Sequence, residues 1–123
     1  MTLSELLRTP SDDTVERDLQ RFGRAVARRY GERLRGVYLF GSRARGSHRP
    51  DSDVDVAVVV DGGVMDWRER AALSDLSFDF LVNDAVDIQA WPISAQAWDD
   101  PSQHSNPALV SAMKRDAKKV QIP

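Results

Sequence analysis

The sequence contains no cysteine and no long apolar run. Its 123 residues therefore cannot form a disulfide or a thiolate-bound zinc site. No segment approaches the roughly 20 apolar residues that a membrane-spanning helix needs. The start of the chain, MTLSELLRTPSDD, lacks the basic flank, apolar stretch and small-residue cleavage site of a signal peptide. We therefore expect a cytoplasmic protein without a membrane association.

The composition is that of a folded protein, with 41% hydrophobic and 29% charged residues. The length suits one compact domain, so we predict a single domain over 1–123. Charge is uneven along the chain. Residues 1–50 carry eleven arginines and six acids, and residues 51–104 carry two arginines and twelve acids. Solvated helix faces are the simpler interpretation, and an acidic, cation-binding cleft beside a basic rim is the alternative.

Apolar periodicity predicts an α/β fold with a small three- to four-stranded mixed sheet flanked by helices. Apolar residues at helical spacing indicate a first helix, and β-branched runs indicate buried strands. In chain order we predict a helix over Thr14–Leu34, a strand over Val37–Phe40, a loop over Gly41–Ser52, a strand over Asp53–Val60, a helix over Met65–Leu81, a strand over Ala85–Trp91 that stops at Pro92, a short helix over Ser94–Trp98 and a helix over Pro107–Lys118.

Two acids open the most strand-like segment of the sequence. Asp53 and Asp55 are two residues apart, so in a strand both carboxylates project from one face. Burying two adjacent carboxylates is costly unless a cation lies between them. A solvent-facing pair at a strand end is the alternative. Hard oxygen ligands suit Mg²⁺ or Mn²⁺, which proteins commonly share with substrate phosphates.

A glycine-serine pair follows the preceding strand. Gly41 lets the backbone approach a ligand closely, and Ser42 offers an N–H and a hydroxyl. If a short helix starts there, its amides favour phosphate oxygens, and Arg43, Arg45 and Arg49 could add guanidinium contacts. A glycine-serine pair alone is an ordinary turn. It matters here because of its distance from the acids.

A third acid, Asp87, lies on the next predicted strand. Neighbouring strands would bring it beside Asp53 and Asp55, which supplies the carboxylates of a two-metal phosphoryl-transfer site. A solvent-facing strand acid is the alternative, and Asp84 is the substitute candidate. We interpret His48 and His104 as surface residues. We assign the three tryptophans to packing, and stacking of Trp91 on a nucleotide base is the alternative.

These residues together resemble a known family. The segments Gly41-Ser42-Arg43-Ala44-Arg45-Gly46 and Ser52-Asp53-Val54-Asp55-Val56-Ala57-Val58 resemble the G-S-x-A-x-G and S-D-x-D-x-x-V pattern of DNA polymerase beta-like nucleotidyltransferases. Within that superfamily the chain is most similar to the minimal nucleotidyltransferases of prokaryotes. The resemblance implies a polymerase beta-like palm fold.

The resemblance also implies roles for individual residues. Asp53 and Asp55 would bind two Mg²⁺ ions, and Asp87 would bind one of them and help to activate the acceptor. Gly41 and Ser42 would hold the β- and γ-phosphates of ATP. Three further residues are expected at the nucleotide: Arg43, Arg45 and Ser52.

The family suggests what the acceptor is. Minimal nucleotidyltransferases are commonly antitoxins that transfer AMP from ATP to a tyrosine of a HEPN (higher eukaryotes and prokaryotes nucleotide-binding) RNase toxin, so we expect a hetero-oligomer with such a partner. Three alternatives stay open: an aminoglycoside-type small-molecule adenylyltransferase subunit, an antitoxin that masks its partner without chemistry, and a nucleic-acid-extending enzyme. Arginines that alternate with acids do not favour direct nucleic-acid binding.

Overall fold

The computed structural model describes residues 9–122. Most of the amino-terminal segment considered above for a signal peptide lies outside the described residues. The helices and strands are, in chain order, α1 (Asp12–Tyr30), β1 (Leu34–Phe40), α2 (Ser42–Arg45), β2 (Val54–Val60), α3 (Trp67–Asp84), β3 (Ile88–Ser94), α4 (Ala95–Asp99), α5 (Pro107–Asp116) and β4 (Lys118–Lys119). Short 3₁₀ helices cover Gly31–Arg33 and Pro101–Gln103.

One mixed sheet of four strands carries the fold, in the order β3-β2-β1-β4. Strand β1 pairs antiparallel with β2 and with β4, whereas β2 and β3 are parallel. The sheet confirms the predicted α/β class. It also explains why β2 is so apolar: this strand is central, and its residues from Val56 to Val60 are at most 1% exposed.

Helices pack on both faces of the sheet. On one face, alternate β2 residues such as Val54 and Val56 pack with α1 and α3 around Phe22 and Leu73. On the other face a smaller cluster joins Ala57 and Ile93 to α4 and α5. No helix among residues 9–122 combines the length and hydropathy of a membrane span.

The first helix begins two residues before the predicted Thr14 and ends four residues before the predicted Leu34. The Ser11 hydroxyl accepts a hydrogen bond from the Thr14 N–H at 3.1 Å, which caps α1. The prediction that this helix continues to Leu34 is wrong. Gly31 adopts φ 58°, a conformation that stops the helix, and Leu34 is already the first residue of β1.

The prediction that the third strand stops at Pro92 is also wrong, because β3 continues to Ser94. Strand β3 is at the edge of the sheet. The hydrogen bond from the Val54 N–H to the Asp87 carbonyl shows that Asp87 and every second residue after it direct their backbone polar groups toward β2. The backbone nitrogen of Pro92 therefore points away from β2. Because no strand lies on that side, the missing N–H of proline costs no hydrogen bond of the sheet.

The carboxyl-terminal part departs from the sequence prediction in one more element. The Asn106 side chain caps α5 by accepting from the Leu109 N–H at 3.2 Å, and Pro107 is its first residue, as predicted. However, α5 ends at Asp116, and residues Lys118–Lys119 form strand β4 beside β1. A two-residue strand of two lysines has no apolar pattern that predicts it.

Candidate active site

Strand β2 places the first two acids on one face of the sheet. Asp53 directly precedes the strand and is exposed, and Asp55 is its second residue and is half-buried. Val54 between them is fully buried against α1 and α3. Because side chains alternate along a strand, both carboxylates lie on the opposite face from that core.

Gly41 lies against the Asp55 carboxylate. Strand β1 pairs Phe40 with Asp55, so the residue after β1 follows immediately beside that acid. Gly41 has φ 75°, and a Cβ atom added there would be 2.6 Å from Asp55 Oδ2. Both the backbone angle and the space therefore require glycine. The sequence prediction that this turn adjoins the acids agrees with the observed geometry.

Asp87 reaches the same edge through the parallel pairing of β2 and β3. The Val54 N–H donates to the Asp87 carbonyl at 2.8 Å, which sets Asp87 beside Asp53. Gln89 Nε2 donates to Asp87 Oδ1 at 2.7 Å. We did not single out Gln89 in the sequence. The available signal was its spacing, because a residue two positions after Asp87 shares its strand face.

The electrostatics show that these three acids are close to one another. Partial burial and then repulsion from Asp87 raise the pKa of Asp53. Since Asp53 is exposed, repulsion is the cause that we expect to dominate in solution. Burial and repulsion from Asp87 also raise the pKa of Asp55, while Arg45 lowers it. The cluster therefore resists carrying its full negative charge without a cation.

The loop after α2 uses two of the predicted nucleotide-binding residues for its own structure. Arg43 is buried, and its guanidinium donates to the carbonyls of Ser52 at 3.0 Å and Pro50 at 3.2 Å. The Ser52 hydroxyl accepts from the Arg49 N–H at 2.8 Å. These bonds give both residues a role in shaping the loop. Contact of either with a nucleotide stays a prediction.

Ser42 and Arg45 lie beside the acids as well, and the charge of Arg43 also acts on the cluster, because it lowers the pKa of Asp53. Ser42 is half-buried and is the first residue of α2, directly after Gly41. Arg45 is exposed, forms an ion pair with Asp116 at 2.8 Å, and is the cation that acts on Asp55. The structure thus brings Gly41, Ser42 and Arg45 together with the acids.

The donor set fits a hard divalent cation. Among residues 9–122, Asp53, Asp55 and Asp87 form no ion pair with a lysine or arginine, and no three Asp, Glu or His side chains there are arranged closely enough to hold a metal ion. A bound cation would therefore have to draw the three carboxylates closer together. Carboxylate oxygens are the ligands that Mg²⁺ and Mn²⁺ prefer, and Gly41 leaves space beside Asp55.

A protein-family model matches this part of the chain. Residues 25–98, more than half of the 123, match the model described as polymerase beta, nucleotidyltransferase. The chain belongs to the polymerase beta nucleotidyltransferase family. The match covers β1, α2, β2, α3 and β3, and so includes every residue of the acid cluster and of the Gly41 turn.

Individual relatives agree with this family. A candidate protein adenylyltransferase of Methanocaldococcus jannaschii is 37% identical over 68 residues, which are 55% of this chain and 54% of that protein. The chain thus spans about half the length of this curated relative. A nucleotidyltransferase structure from Sulfolobus solfataricus has a TM-score of 0.51 and 25% identity, and covers 71% of this chain and 76% of its own.

Toxin-antitoxin structures share the fold. A chain from a toxin-antitoxin complex with AMP-PNP has a TM-score of 0.57 at 18% identity, with 85% of this chain and 73% of that chain covered. A chain from the complex of tri-AMPylated Shewanella oneidensis HEPN toxin with MNT antitoxin has a TM-score of 0.55 at 16% identity, with 88% and 73% covered. At these identities the likeness concerns the fold alone.

Proposed function

We propose that this chain is a nucleotidyltransferase domain that transfers AMP from ATP to a tyrosine of a cognate HEPN-family toxin and thereby acts as its antitoxin. The observation that carries the enzymatic part is the cluster of Asp53, Asp55 and Asp87 beside Gly41, three carboxylates that form no ion pair among the described residues, with Arg43 and Arg45 acting on two of them from beyond ion-pair distance. Family membership supports the same chemistry.

Each residue of the cluster has a proposed role. Asp53 and Asp55 would hold two Mg²⁺ ions, and Asp87 would hold the one nearer the acceptor, with Mn²⁺ as a possible substitute. Such ions neutralise charge on the phosphate oxygens and orient the reacting groups. Gly41 and Ser42 would hold the β- and γ-phosphates, and Arg45 lies close enough to Asp55 to add a guanidinium contact.

The reaction follows from that arrangement. The tyrosyl oxygen attacks the α-phosphorus of ATP in line with the leaving oxygen, a P–O bond forms to the tyrosine, and the bond to the β-phosphate bridge breaks. Pyrophosphate leaves with the electron pair of that bond. The phenolic proton passes to the Asp87 carboxylate, which Gln89 orients through its 2.7 Å hydrogen bond.

Two observations support a protein acceptor. The M. jannaschii relative is named for transfer to protein, and structures sharing this fold include toxin-antitoxin complexes. The chain itself exposes apolar side chains on α3: Phe78 is 59%, Leu81 43% and Val82 58% exposed. An exposed apolar patch of this kind marks a protein contact.

The test is the mass of the partner after incubation with this chain, ATP and Mg²⁺. We expect the toxin to gain one or more AMP units, and Asp53→Asn with Asp55→Asn to abolish the gain. The matched control is Asp51→Asn, which removes an exposed acid from the same loop and should leave transfer intact. If the double variant neutralises the toxin as well as the wild type does, masking without chemistry replaces this proposal. Labelling of an aminoglycoside or RNA instead would refute the protein acceptor.

A further inference from the structure

A cavity lies beside the edge strand β3, further along that strand from the acid cluster. It has a volume of about 240 Å³ and lies between the start of α3, strand β3 and the start of α5. Its walls include Trp67, Arg70, Trp91, Ile93, His104 and Leu109. We call it the Arg70 cavity.

Arg70 brings a cation to this cavity and forms no ion pair with any acid in residues 9–122. Its guanidinium carbon lies 3.4 Å from the centre of the Trp91 ring, so one face of the group stacks on the indole. Its Nη1 atom is buried and has no hydrogen-bond acceptor among the described residues. Burial lowers the pKa of Arg70, although arginine still stays protonated at neutral pH. An anionic oxygen is the group that would satisfy this nitrogen.

The nearby acid does not serve as that acceptor. Asp66 caps α3, where its Oδ1 accepts from the backbone N–H groups of Arg68 at 3.0 Å and Glu69 at 3.4 Å. Its Oδ2 faces the Arg68 guanidinium at 3.6 Å. Both carboxylate oxygens are thus directed to groups other than Arg70.

His104 adds a second donor. Its Nδ1 accepts from the Asn106 N–H at 2.9 Å, so the neutral ring carries its proton on Nε2. Of the other lining residues, Asp66 is the acid whose two oxygens are engaged by Arg68 and by the start of α3, and the rest are apolar or aromatic, with Trp67 73% exposed. Two donors, of which Arg70 is cationic, and flat apolar walls make a site for an anion that carries an aromatic or apolar body.

We propose that the Arg70 cavity binds a carboxylate attached to a flat apolar group. Two sources share this chemistry, the carboxyl terminus of a polypeptide and a free aromatic acid. Asp87, which directly precedes β3, lies on the same face of the strand as Gln89 and Trp91. At about 3.3 Å per residue, Trp91 of the cavity is about 13 Å from Asp87 of the acid cluster. Use of the cavity to anchor the acceptor rests on the proposed function, whereas binding itself does not.

The binding test uses the full chain without ATP, metal or partner protein. N-acetyl-L-phenylalanine and its amide are titrated separately while the indole N–H signals are followed by NMR. The Trp98 signal is the internal reference, because that ring stacks on Tyr38, with ring centroids 4.8 Å apart, and does not line the cavity. We expect the acid to shift the Trp67 and Trp91 signals with a Kd in roughly the millimolar range, and the amide to bind at least tenfold more weakly. Equal binding of both, or no shift from the acid, would overturn the proposal.

A pair of arginine variants locates the site. Arg70→Gln should weaken binding of the acid about tenfold, the effect of losing one charge-assisted contact. Arg115→Gln removes the same charge from a 72% exposed side chain that does not line the cavity, and should change binding less than twofold. Equal weakening by the two variants would indicate general charge attraction and would contradict a built site. Thermal melts of both variants confirm that each is folded.

Two further arms separate the possible outcomes. The first arm compares a tripeptide, Ala-Ala-Phe with a free carboxyl terminus, with phenylacetate. Stronger binding of the peptide assigns the cavity to the carboxyl termini of polypeptides. Stronger binding of phenylacetate assigns it to free aromatic acids. Asp53→Asn with Asp55→Asn should leave binding unchanged. Loss of AMP transfer and loss of carboxylate binding are therefore measured independently.

Discussion

Two groups of acids lie on opposite sides of the sheet and differ in what surrounds them. Asp18 of α1 and Asp84 of α3 form a pair in which Arg17 reaches both carboxylates, at 3.4 and 3.1 Å, and Arg21 approaches Asp18 at 3.7 Å. The cluster of Asp53, Asp55 and Asp87 has no such ion pairs among the described residues, and only a glutamine amide donates to it.

Under the proposed function, the same residue type serves structure in one place and chemistry in another. Acids with arginine partners join two helices, and the arginines offset part of their charge. Acids without a partner keep unfavourable repulsion in the folded state, and this repulsion is relieved when a cation binds. The predictions below test this contrast, from the largest expected effect to the smallest.

The largest effect is expected from closing the space beside the uncompensated cluster. Gly41→Ala would place a Cβ 2.6 Å from Asp55 Oδ2 and strain a backbone with φ 75°. Because displacing a reacting group by about 1 Å costs on the order of 100-fold, we expect AMP transfer to fall by at least that factor. Initial rates of transfer to the partner measure it.

The matched control is Gly46→Ala. Gly46 has nearly the same backbone angle, φ 76°, but nothing lies within 4 Å of an added Cβ. We expect a loss of about 1 kcal/mol of stability from strain and nearly normal transfer. If both alanine variants lose activity equally, backbone strain in the loop explains the result and the space beside Asp55 does not.

The second effect concerns stabilisation by metal. An ion that binds only the folded protein raises its stability by about 2.7 kcal/mol at 100 times the Kd. We therefore expect Mg²⁺ or Mn²⁺ to raise the melting temperature of the wild type and of Asp18→Asn, and to have little effect on Asp53→Asn with Asp55→Asn. If metal no longer raised the melting temperature of Asp18→Asn, the cation would bind between the helices, and the proposed difference between the two groups of acids would be wrong.

The sequence was sufficient to predict the parts of the fold that depend on local pattern. Buried runs such as Val56–Val60 and the helix stripe of α1 have strong periodicity, and the motif around Gly41 and Asp53 identified the family. The edge of the sheet was harder to predict. Strand β3 continues through Pro92, and β4 consists of two lysines. The formation of both strands depends on which side of a neighbouring strand is unpaired, and residue type alone does not show this.

The candidate site was predictable to a similar extent. Spacing along a strand predicted that Asp53 and Asp55 share a face, and strand order predicted Asp87 nearby. The bonds of Arg43 to the carbonyls of its own loop depend on how residues 46–52 fold back, which no local pattern determines. The same is true of Arg70, whose contact with Trp91 joins a helix to the edge strand.

A smaller effect is expected when one uncompensated charge is removed without metal. Because the pKa of Asp55 is raised by folding, the folded protein loses stability as pH rises from about 4 through that raised pKa. Asp55→Asn should therefore be more stable than the wild type at pH 7, by on the order of 1 kcal/mol, and the gain should shrink at pH 4. Urea denaturation at both pH values measures the difference. A destabilised variant at pH 7 would show that Asp55 already has favourable partners.

The smallest net effect is expected at the compensated pair. Burial and then a hydrogen bond with Asp84 raise the pKa of Asp18, so this pair also loses stability as pH rises through that value. Asp18→Asn removes that loss but also removes the attraction to Arg17 and Arg21, and the two changes oppose each other. We expect stability at pH 7 to change by less than roughly 1 kcal/mol, because Arg17 and Arg21 are more than half exposed and stay solvated when Asp18 loses its charge, with AMP transfer unchanged. Denaturation across pH 4–8 should give a flatter profile than the wild type. A gain at pH 7 as large as that of Asp55→Asn would mean that the arginines do not compensate the pair, and the two acid groups would then differ in location only.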